Sequence, residues 1–443
     1  MLQPLNMPEV NTMGRIVCFG PGPRFKGGIA NYNTSLAKTL DTETDHEIHI
    51  VSWTQQYPSI IPRKFEDTSS KTDFMEDSSI QIHYLTNYNN PISWLQTAQF
   101  IADLKPDKVI FQWAIAIQGL PMGVIARKLS KMSSAEILFD LHFVQQKEGS
   151  IIDDLCTQYG IKPAHTYLTH AYKTVDELKS LYPNQRFNVN ESGERTGGNI
   201  ETKNEANPGK TVIKLYHPVY DLYAPDPAFD VEAFKKELGL NKHVFLFFGF
   251  IRKYKGLHMA IEAFSEVAKS REDVSFLICG EEFWTTLDPN KWTTKLKNIL
   301  FSGLKRILLS KDSDERNYRP LERIEALGIE DRTVVINTFI PNEDVHKYFQ
   351  AADSSILFYE TATPSGVESL TYNFELPILA THVGHFPETI KDGYNGYLAD
   401  AANTESMAQI MLKSIDQPID RKHVRKAAEK MSWTNYVQAI LNN

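Results

Sequence analysis

The sequence predicts an α/β protein built from two doubly wound domains, and three observations carry that expectation. Short β-branched apolar runs alternate with helical patterns from about residue 15 to residue 216. The same alternation restarts near residue 244, and a proline-containing stretch at 217–230 lies between the two series. Alternation of this kind is the signature of βαβ units around a parallel sheet, so a second start implies a second sheet. The expected domains are residues 1–220 and 221–419.

In the first series the strand candidates are 15–20, 47–52, 108–113, 136–141, 166–169 and 211–216. A helix over 28–40 follows the first of them, with Ile29, Tyr32, Leu36 and Leu40 on one face at a spacing near 3.6. In the second series 244–249, 274–279, 333–337, 354–358 and 377–381 read as strands. The helix after 244–249 places Leu257, Ala260, Ile261, Phe264 and Val267 together. Another begins near Asn342, read as its N-cap, and buries Val345, Tyr348, Phe349 and Ala352. Two segments read as insertions: 187–210, polar enough to predict a mobile loop, and 283–323, basic and helical in places.

With 443 residues the chain can form two cores of ordinary size. A hydrophobic share of 42% and a charged share of 23% fit a soluble globular protein. The net charge of −8 argues against a general nucleic-acid binder, which needs a basic surface to displace counterions. Cys18, Cys156 and Cys279 match no metal spacing and read as reduced thiols. The first residues lack the apolar stretch of a secretory signal. The apolar region 109–126 is interrupted by Gln112, Gln118, Gly119 and Pro121, short of the about 20 apolar residues of a membrane span. The expectation is a cytoplasmic protein. Arg127, Lys128 and Lys131 end the 119–131 helix and would suit peripheral membrane contact, although a packed helix with basic ends is the plainer reading.

Three strand-to-helix turns carry the candidate chemistry. The first, FGPGPRFKGGIANY, fails the dinucleotide pattern at Phe25 and the P-loop pattern after Gly27. It still opens a helix at Gly28, where free N–H groups favour an anion; a plain tight turn is the alternative. The second, GFIRKYKG, gathers Arg252, Lys253 and Lys255 at the carboxyl end of a strand, the side on which open α/β sheets bind ligands. Those cations could neutralise a diphosphate, or form only a solvated basic turn. In the third, seven residues separate Glu360 from Glu368, with Ser365, Gly366 and Val367 between them. A carboxylate beyond such a turn can accept two ribose hydroxyls, while one before it can meet sugar hydroxyls. A first-turn Glu also favours a helix through its dipole alone. The Asp312–Asp314 triplet has no strand before it and reads as a solvated loop rather than a metal clamp.

Together these elements resemble the GT-B glycosyltransferases of family 4, retaining enzymes that use nucleotide sugars. The resemblance runs over nearly the whole chain: Gly27-Gly28, FDLHF around His142, GFIRKYKG, the paired glutamates, LPILATHVGHFPETIKDGYNGYL and the closing MSWTNYVQAI. It implies two Rossmann-like domains facing a cleft, with a terminal helix, about 420–443, crossing back to the first. It implies that Arg252 and Lys255 hold the donor diphosphate, that Glu368 binds the ribose, and that Glu360 faces the donor sugar. Gly28 would approach from across the cleft and His142 would contact the sugar, with Glu360 and His142 as the catalytic pair. Ser365, Gly366 and Val367 would add phosphate contacts. Two positions depart from the commoner pattern: Phe250 stands where an Arg is usual, and Thr361-Ala362-Thr363-Pro364 replaces a glycine-rich turn.

The implied reaction is glycosyl transfer to an acceptor hydroxyl with retained configuration, through an oxocarbenium-like transition state and with no metal or other cofactor. Its partners would be a nucleotide sugar and a carbohydrate or lipid-linked glycan acceptor, the commonest family setting being bacterial polysaccharide or glycoconjugate synthesis. The alternative is a non-catalytic GT-B-like protein that binds a sugar nucleotide or a partner. A GT-B epimerase or phosphorylase is a further enzyme reading, and a dinucleotide oxidoreductase a remote one, since neither glycine fingerprint is present.

Overall fold

The computed structural model describes residues 14–59, 65–145, 151–191, 209–282 and 318–442. Two parallel sheets organise them. The first contains β1 Arg15–Phe19, β2 Glu47–Gln55, β3 Gln81–Asn87, β4 Lys108–Trp113, β5 Glu136–Leu141, β6 Thr166–Thr169, β7 Phe187–Asn190 and β8 Lys210–Lys214, in the order β3-β2-β1-β4-β5-β6-β8-β7. The second contains β9 His243–Phe248, β10 Val274–Cys279, β11 Thr333–Ile336, β12 Ser354–Leu357, β13 Ile378–Thr381 and β14 Gly396–Ala399, in the order β11-β10-β9-β12-β13-β14. Each sheet therefore reverses strand order beside its own first strand, between β1 and β4 and between β9 and β12. Crevices at the carboxyl ends of such switch points are where ligands bind in open α/β sheets.

Alternation along the strands divides the first core. Ile16, Cys18, Ile50, Ile110, Leu138, Leu168 and Ile213 face the Gly28–Glu43 helix. Val17, Phe19, Val51, Val109, Phe111, Ile137 and Phe139 face the opposite layer, which includes the Pro91–Asp103 and Gly119–Met132 helices. Both faces are covered, which explains the near-continuous apolar runs of β4 and β5. The first of these clusters continues through Tyr220 and Tyr223 of the linker to Val244, Leu246, Leu277 and Phe349 of the second domain. The two halves thus share one apolar seam.

Three strands were not expected. β3 and β7 are sheet edges with polar residues along them, and β14 closes the far edge of the second sheet. The segment 187–210, expected as a mobile loop, begins and ends in paired strands: Phe187 lies beside Lys210 and Val189 beside Val212. An edge strand with one open side needs no apolar run, so composition hid it; residues 192–208 lie outside the described residues. So do 283–317, with Asp312–Asp314, while Glu322–Ala326 forms a short helix. Asn342 is not an N-cap. It opens a 3-10 turn without a side-chain cap bond, and its Oδ1 instead accepts a hydrogen bond from the Tyr223 hydroxyl at 2.9 Å. The helix beyond, Val345–Ala351, buries Val345 and Phe349 as expected.

The chain's last helix, Trp433–Leu441, returns to the Gly28–Glu43 helix. Trp433 donates from Nε1 to the Val219 carbonyl at 2.8 Å, and its ring meets Tyr32 edge-on at 4.8 Å. Side chains such as Val437 and Ile440, fully buried there, contribute roughly 1.5–3 kcal/mol each. The preceding Arg421–Ala428 helix stays against Gly366–Asn373 in the second domain. Among the described residues no helix is long and apolar enough to cross a membrane. Arg127 is used in packing: it donates to the Gly123 and Tyr159 carbonyls and stacks on the Tyr159 ring at 3.7 Å. Cys18 and Cys279 are buried, Cys156 is half-buried, and all three are free thiols.

Candidate functional site

After β9 the chain makes a glycine-dependent turn at Gly249 (φ 94°), a 3-10 turn over Lys253–Lys255 and a left-handed step at Gly256 (φ 65°). A side chain at Gly256 would place its Cβ 1.9 Å from the Phe358 carbonyl oxygen, so only glycine lets the turn cross the end of β12. That crossing directs Lys255 inward. It is 7% exposed, with Nζ against Gly249 and 5.8 Å from the Tyr359 ring centroid. Burial, with Arg252 adding repulsion, lowers its pKa to about 7. The Arg252 guanidinium lies 5.2 Å from the Tyr254 ring centroid.

Beyond β12 the backbone N–H of Glu360 donates to the Tyr254 carbonyl at 2.8 Å, which joins the second and third turns. Its carboxylate stands 3.7 Å from His258 Nε2. Burial, aided by Arg323 and Lys253, holds His258 at about 4, so the carboxylate faces a neutral ring at pH 7. Ser365 occupies the N-cap position of the Gly366–Asn373 helix without a side-chain cap bond. Val367 packs on the same face of Gly249 as Lys255. Glu368 is 4% exposed, with one oxygen against His385 Nε2 and the other accepting from Thr389 Oγ1 at 2.6 Å. The carboxylate is thus held firmly in place by its own domain.

From the first domain, Gly27 (φ 104°) turns the chain into the helix that starts at Gly28. Lys26 reaches across to the Phe339 ring, 4.6 Å from its centroid. The structure brings Gly28 and Gly366 to the hydroxyl end of Tyr220, and brings Lys255 and Val367 together at Gly249. His142 stands apart from these. It is 6% exposed, its Nε2 is 2.9 Å from Gln112 Oε1, and its ring lies edge-on to Tyr32 at 4.6 Å. Burial, partly offset by Asp140, lowers its pKa to about 4.

Around His142 lies a cluster that sequence reasoning missed. Asp140, His142 and His170 bring ligand-type atoms within 4.8 Å of one another, but His170 Nε2 already lies 2.8 Å from Asp140 Oδ1 and His142 is taken by Gln112. Burial alone would raise Asp140; the charge and hydrogen bond of His170, with His142 and Tyr436 behind them, hold it down at about 2. His217, from the linker, packs its ring at a tilt against His170, 5.0 Å between centroids, and reaches Ser369, one residue past Glu368. The position of His170 at a strand's carboxyl end was the one local signal available.

Solved structures share this fold over nearly the whole chain. HepE (Alr3699) of Anabaena, solved with UDP and glucose, superposes with a TM-score of 0.63 at 14% identity, covering 96% of this chain and 98% of that one. The sucrose-phosphate synthase of Thermosynechococcus elongatus gives 0.58 at 12% identity, covering 97% and 95%. Two doubly wound domains joined by a linker and a returning helix define the GT-B fold. Residues 229–431 match the family "Glycosyl transferases group 1". Two curated relatives agree: the spore coat protein SA of Bacillus subtilis (strain 168), 22% identical over 51% of this chain, and the D-inositol 3-phosphate glycosyltransferase of Corynebacterium aurimucosum, 23% identical over 67%. The chain spans 52% of the first and 68% of the second. The chain thus has the GT-B fold, and its second half is similar to the group 1 glycosyl transferases.

Proposed function

We propose that the chain transfers a glycosyl group from a nucleotide-diphosphate sugar to an acceptor hydroxyl with retention of anomeric configuration, in the assembly of a bacterial polysaccharide or glycoconjugate. The observation that carries this reading is Lys255, a buried cation at the switch point of the second sheet beside the glycine-led Gly366–Asn373 helix. A buried ammonium with an arginine as its charged neighbour is costly until an anion joins it. A diphosphate supplies that anion.

In the reaction the bond between the anomeric carbon and the diphosphate oxygen breaks, and the acceptor oxygen bonds to that carbon on the same face. The acceptor proton passes to the departing phosphate. Lys255, Arg252 and the helix N-termini at Gly28 and Gly366 stabilise the charge that builds on the leaving group, with Ser365 and Val367 completing the turn. Glu368 takes the ribose hydroxyls on its remaining lone pairs, Glu360 faces the donor sugar, and His142 supports the sugar side from the first domain. This chemistry requires no metal. The UDP and UDP-glucose complexes of HepE favour a uridine nucleotide as the first donor to try, and the acceptor class is a carbohydrate or lipid-linked glycan.

Thermal-shift screening against UDP-, GDP-, ADP- and dTDP-sugars identifies the donor, since a bound ligand stabilises the fold. Transfer is then compared for wild type, Glu360→Ala and Lys255→Ala. Lys255→Ala is expected to lower kcat by on the order of 10²–10³. Equal product from all three removes the catalytic roles of Glu360 and Lys255. Donor binding without turnover by wild type replaces them with the non-catalytic reading.

A further inference from the structure

One linker residue touches both glycine turns. Tyr220 donates from its hydroxyl to the Gly28 carbonyl at 2.7 Å. An added Cβ at Gly28 would lie 3.0 Å from that hydroxyl, and one at Gly366 would lie 2.5 Å from the ring's Cε2 and 2.8 Å from Oη. The hydroxyl end of the phenol therefore touches the first residues of two helices, one from each domain. Tyr220 is 4% exposed, and burial pushes its pKa far up, so the hydroxyl is a neutral donor at pH 7.

The linker cannot slide past this point. Three residues on, the Tyr223 hydroxyl accepts from Asn31 Nδ2 at 2.6 Å and donates to Asn342 Oδ1 at 2.9 Å. Asn31 belongs to the helix that Gly28 opens, and Asn342 to the second domain. Both helix N-termini carry unsatisfied N–H groups and a partial positive charge, so an unsupported approach between them is unfavourable. Lys255 adds a third positive group beside Gly249 and Val367, nine-tenths buried and, among the described residues, without a carboxylate partner. Three positive features lie along this stretch, and one tyrosine touches two of them.

We infer that Tyr220 is a positioning residue for the donor: its phenol, with the hydroxyl on Gly28 and the ring edge on Gly366, fixes the separation of the two helix N-termini so that both phosphates of a nucleoside diphosphate are held at once. The inference rests on the donor reading above. A nucleoside monophosphate needs only one of the two turns, so the ring matters to the second phosphate. The ring also accounts for glycine at the start of the second helix, because a Cβ at Gly366 would lie 2.5 Å from it.

Calorimetry with UDP and UMP, repeated with GDP/GMP and ADP/AMP if uridine fails, tests this on the full chain. Tyr220→Leu is expected to weaken diphosphate binding about tenfold, the equivalent of one lost charge-assisted contact, while monophosphate binding stays within about threefold. Tyr220→Phe keeps the ring edge at Gly366 but loses the hydroxyl bond to Gly28, and its diphosphate affinity is expected to fall between those of wild type and Tyr220→Leu. Gly366→Ala is expected to lose diphosphate affinity, and adding Tyr220→Leu to it to restore part of that loss, a non-additivity that marks direct contact. Melting temperatures identify any variant that has failed to fold, and Tyr220→Phe then serves for comparison with Gly366→Ala. Equal loss of mono- and diphosphate in Tyr220→Leu, or no loss of either, overturns the inference while leaving the donor reading intact. Wild type that binds no nucleoside diphosphate overturns the donor reading itself and the inference with it.

Discussion

The Oγ of Ser369 lies 2.6 Å from Nδ1 of His217, and this contact ties the helix that carries Glu368 to the linker between the domains. Both groups are buried, and burial, reinforced by His170 and His142, holds His217 well below its ordinary range, so the ring is neutral. Ser369→Ala is expected to cost about 1 kcal/mol, because Nδ1 keeps the Pro218 carbonyl at 2.9 Å and only the link to the helix is lost. Urea denaturation measures this, and an unchanged midpoint would mean that the linker is held by its tyrosines alone.

Acid should loosen the same region. His142 and His217 are held below the unfolded value of about 6.5, His142 at about 4. The unfolded chain thus binds more protons between those values, and the stability these rings contribute is complete above about 6.5 and lost as pH falls toward 4. Asp140 adds a second loss below about 3.8, toward its native value of about 2. Melting temperatures recorded from pH 8 to pH 4 are expected to fall, and His142→Asn to flatten part of that slope.

Donor affinity should depend on pH through Lys255. In the free protein this lysine loses its proton near pH 7, while a bound diphosphate favours the charged form. Binding therefore takes up a proton above about pH 7, and affinity should weaken by up to about tenfold per pH unit as pH rises from 7 toward 9. Titrations in buffers of different ionisation enthalpy detect the uptake. Lys255→Arg, charged throughout, should abolish it; uptake that persists in that variant assigns the proton elsewhere.

Two left-handed glycines provide a matched pair. At Gly239 (φ 68°) an added Cβ would meet nothing within 4 Å, so Gly239→Ala should cost only the backbone strain, about 1–2 kcal/mol. Gly256 (φ 65°) adds the collision with the Phe358 carbonyl, so Gly256→Ala should cost about 3 kcal/mol or more and disturb Lys255 as well. Comparing the two melting temperatures separates strain from contact.

Much of the frame was legible because buried parallel strands must be apolar on both faces. β4, β5, β6 and β10 have the bounds expected of them, and all but the short β6 are built on runs of Val, Ile, Leu and Phe. β3, β7 and β14 lie at sheet edges, where half the backbone is open and composition relaxes, and they were missed. Gly28, Lys255 and Glu368 could be placed because helix N-termini and strand ends leave local marks. Tyr220 could not, since the carbonyl it meets is 192 residues away. His385 was overlooked for the same reason: only the fold brings it to Glu368. Asn342 shows the converse, a good local cap whose oxygen a tertiary contact claims.

The returning helix also fixes the order in which the molecule can be finished during synthesis. The last strand of the first sheet ends at Lys214, yet Tyr32 and the buried histidines beside it are covered by Trp433 and Tyr436. At ~5–20 residues per second those covering residues leave the ribosome tens of seconds after β8. For that interval the earlier half waits with an open apolar face, so it is the natural target for a holding chaperone. The half made first is the half completed last.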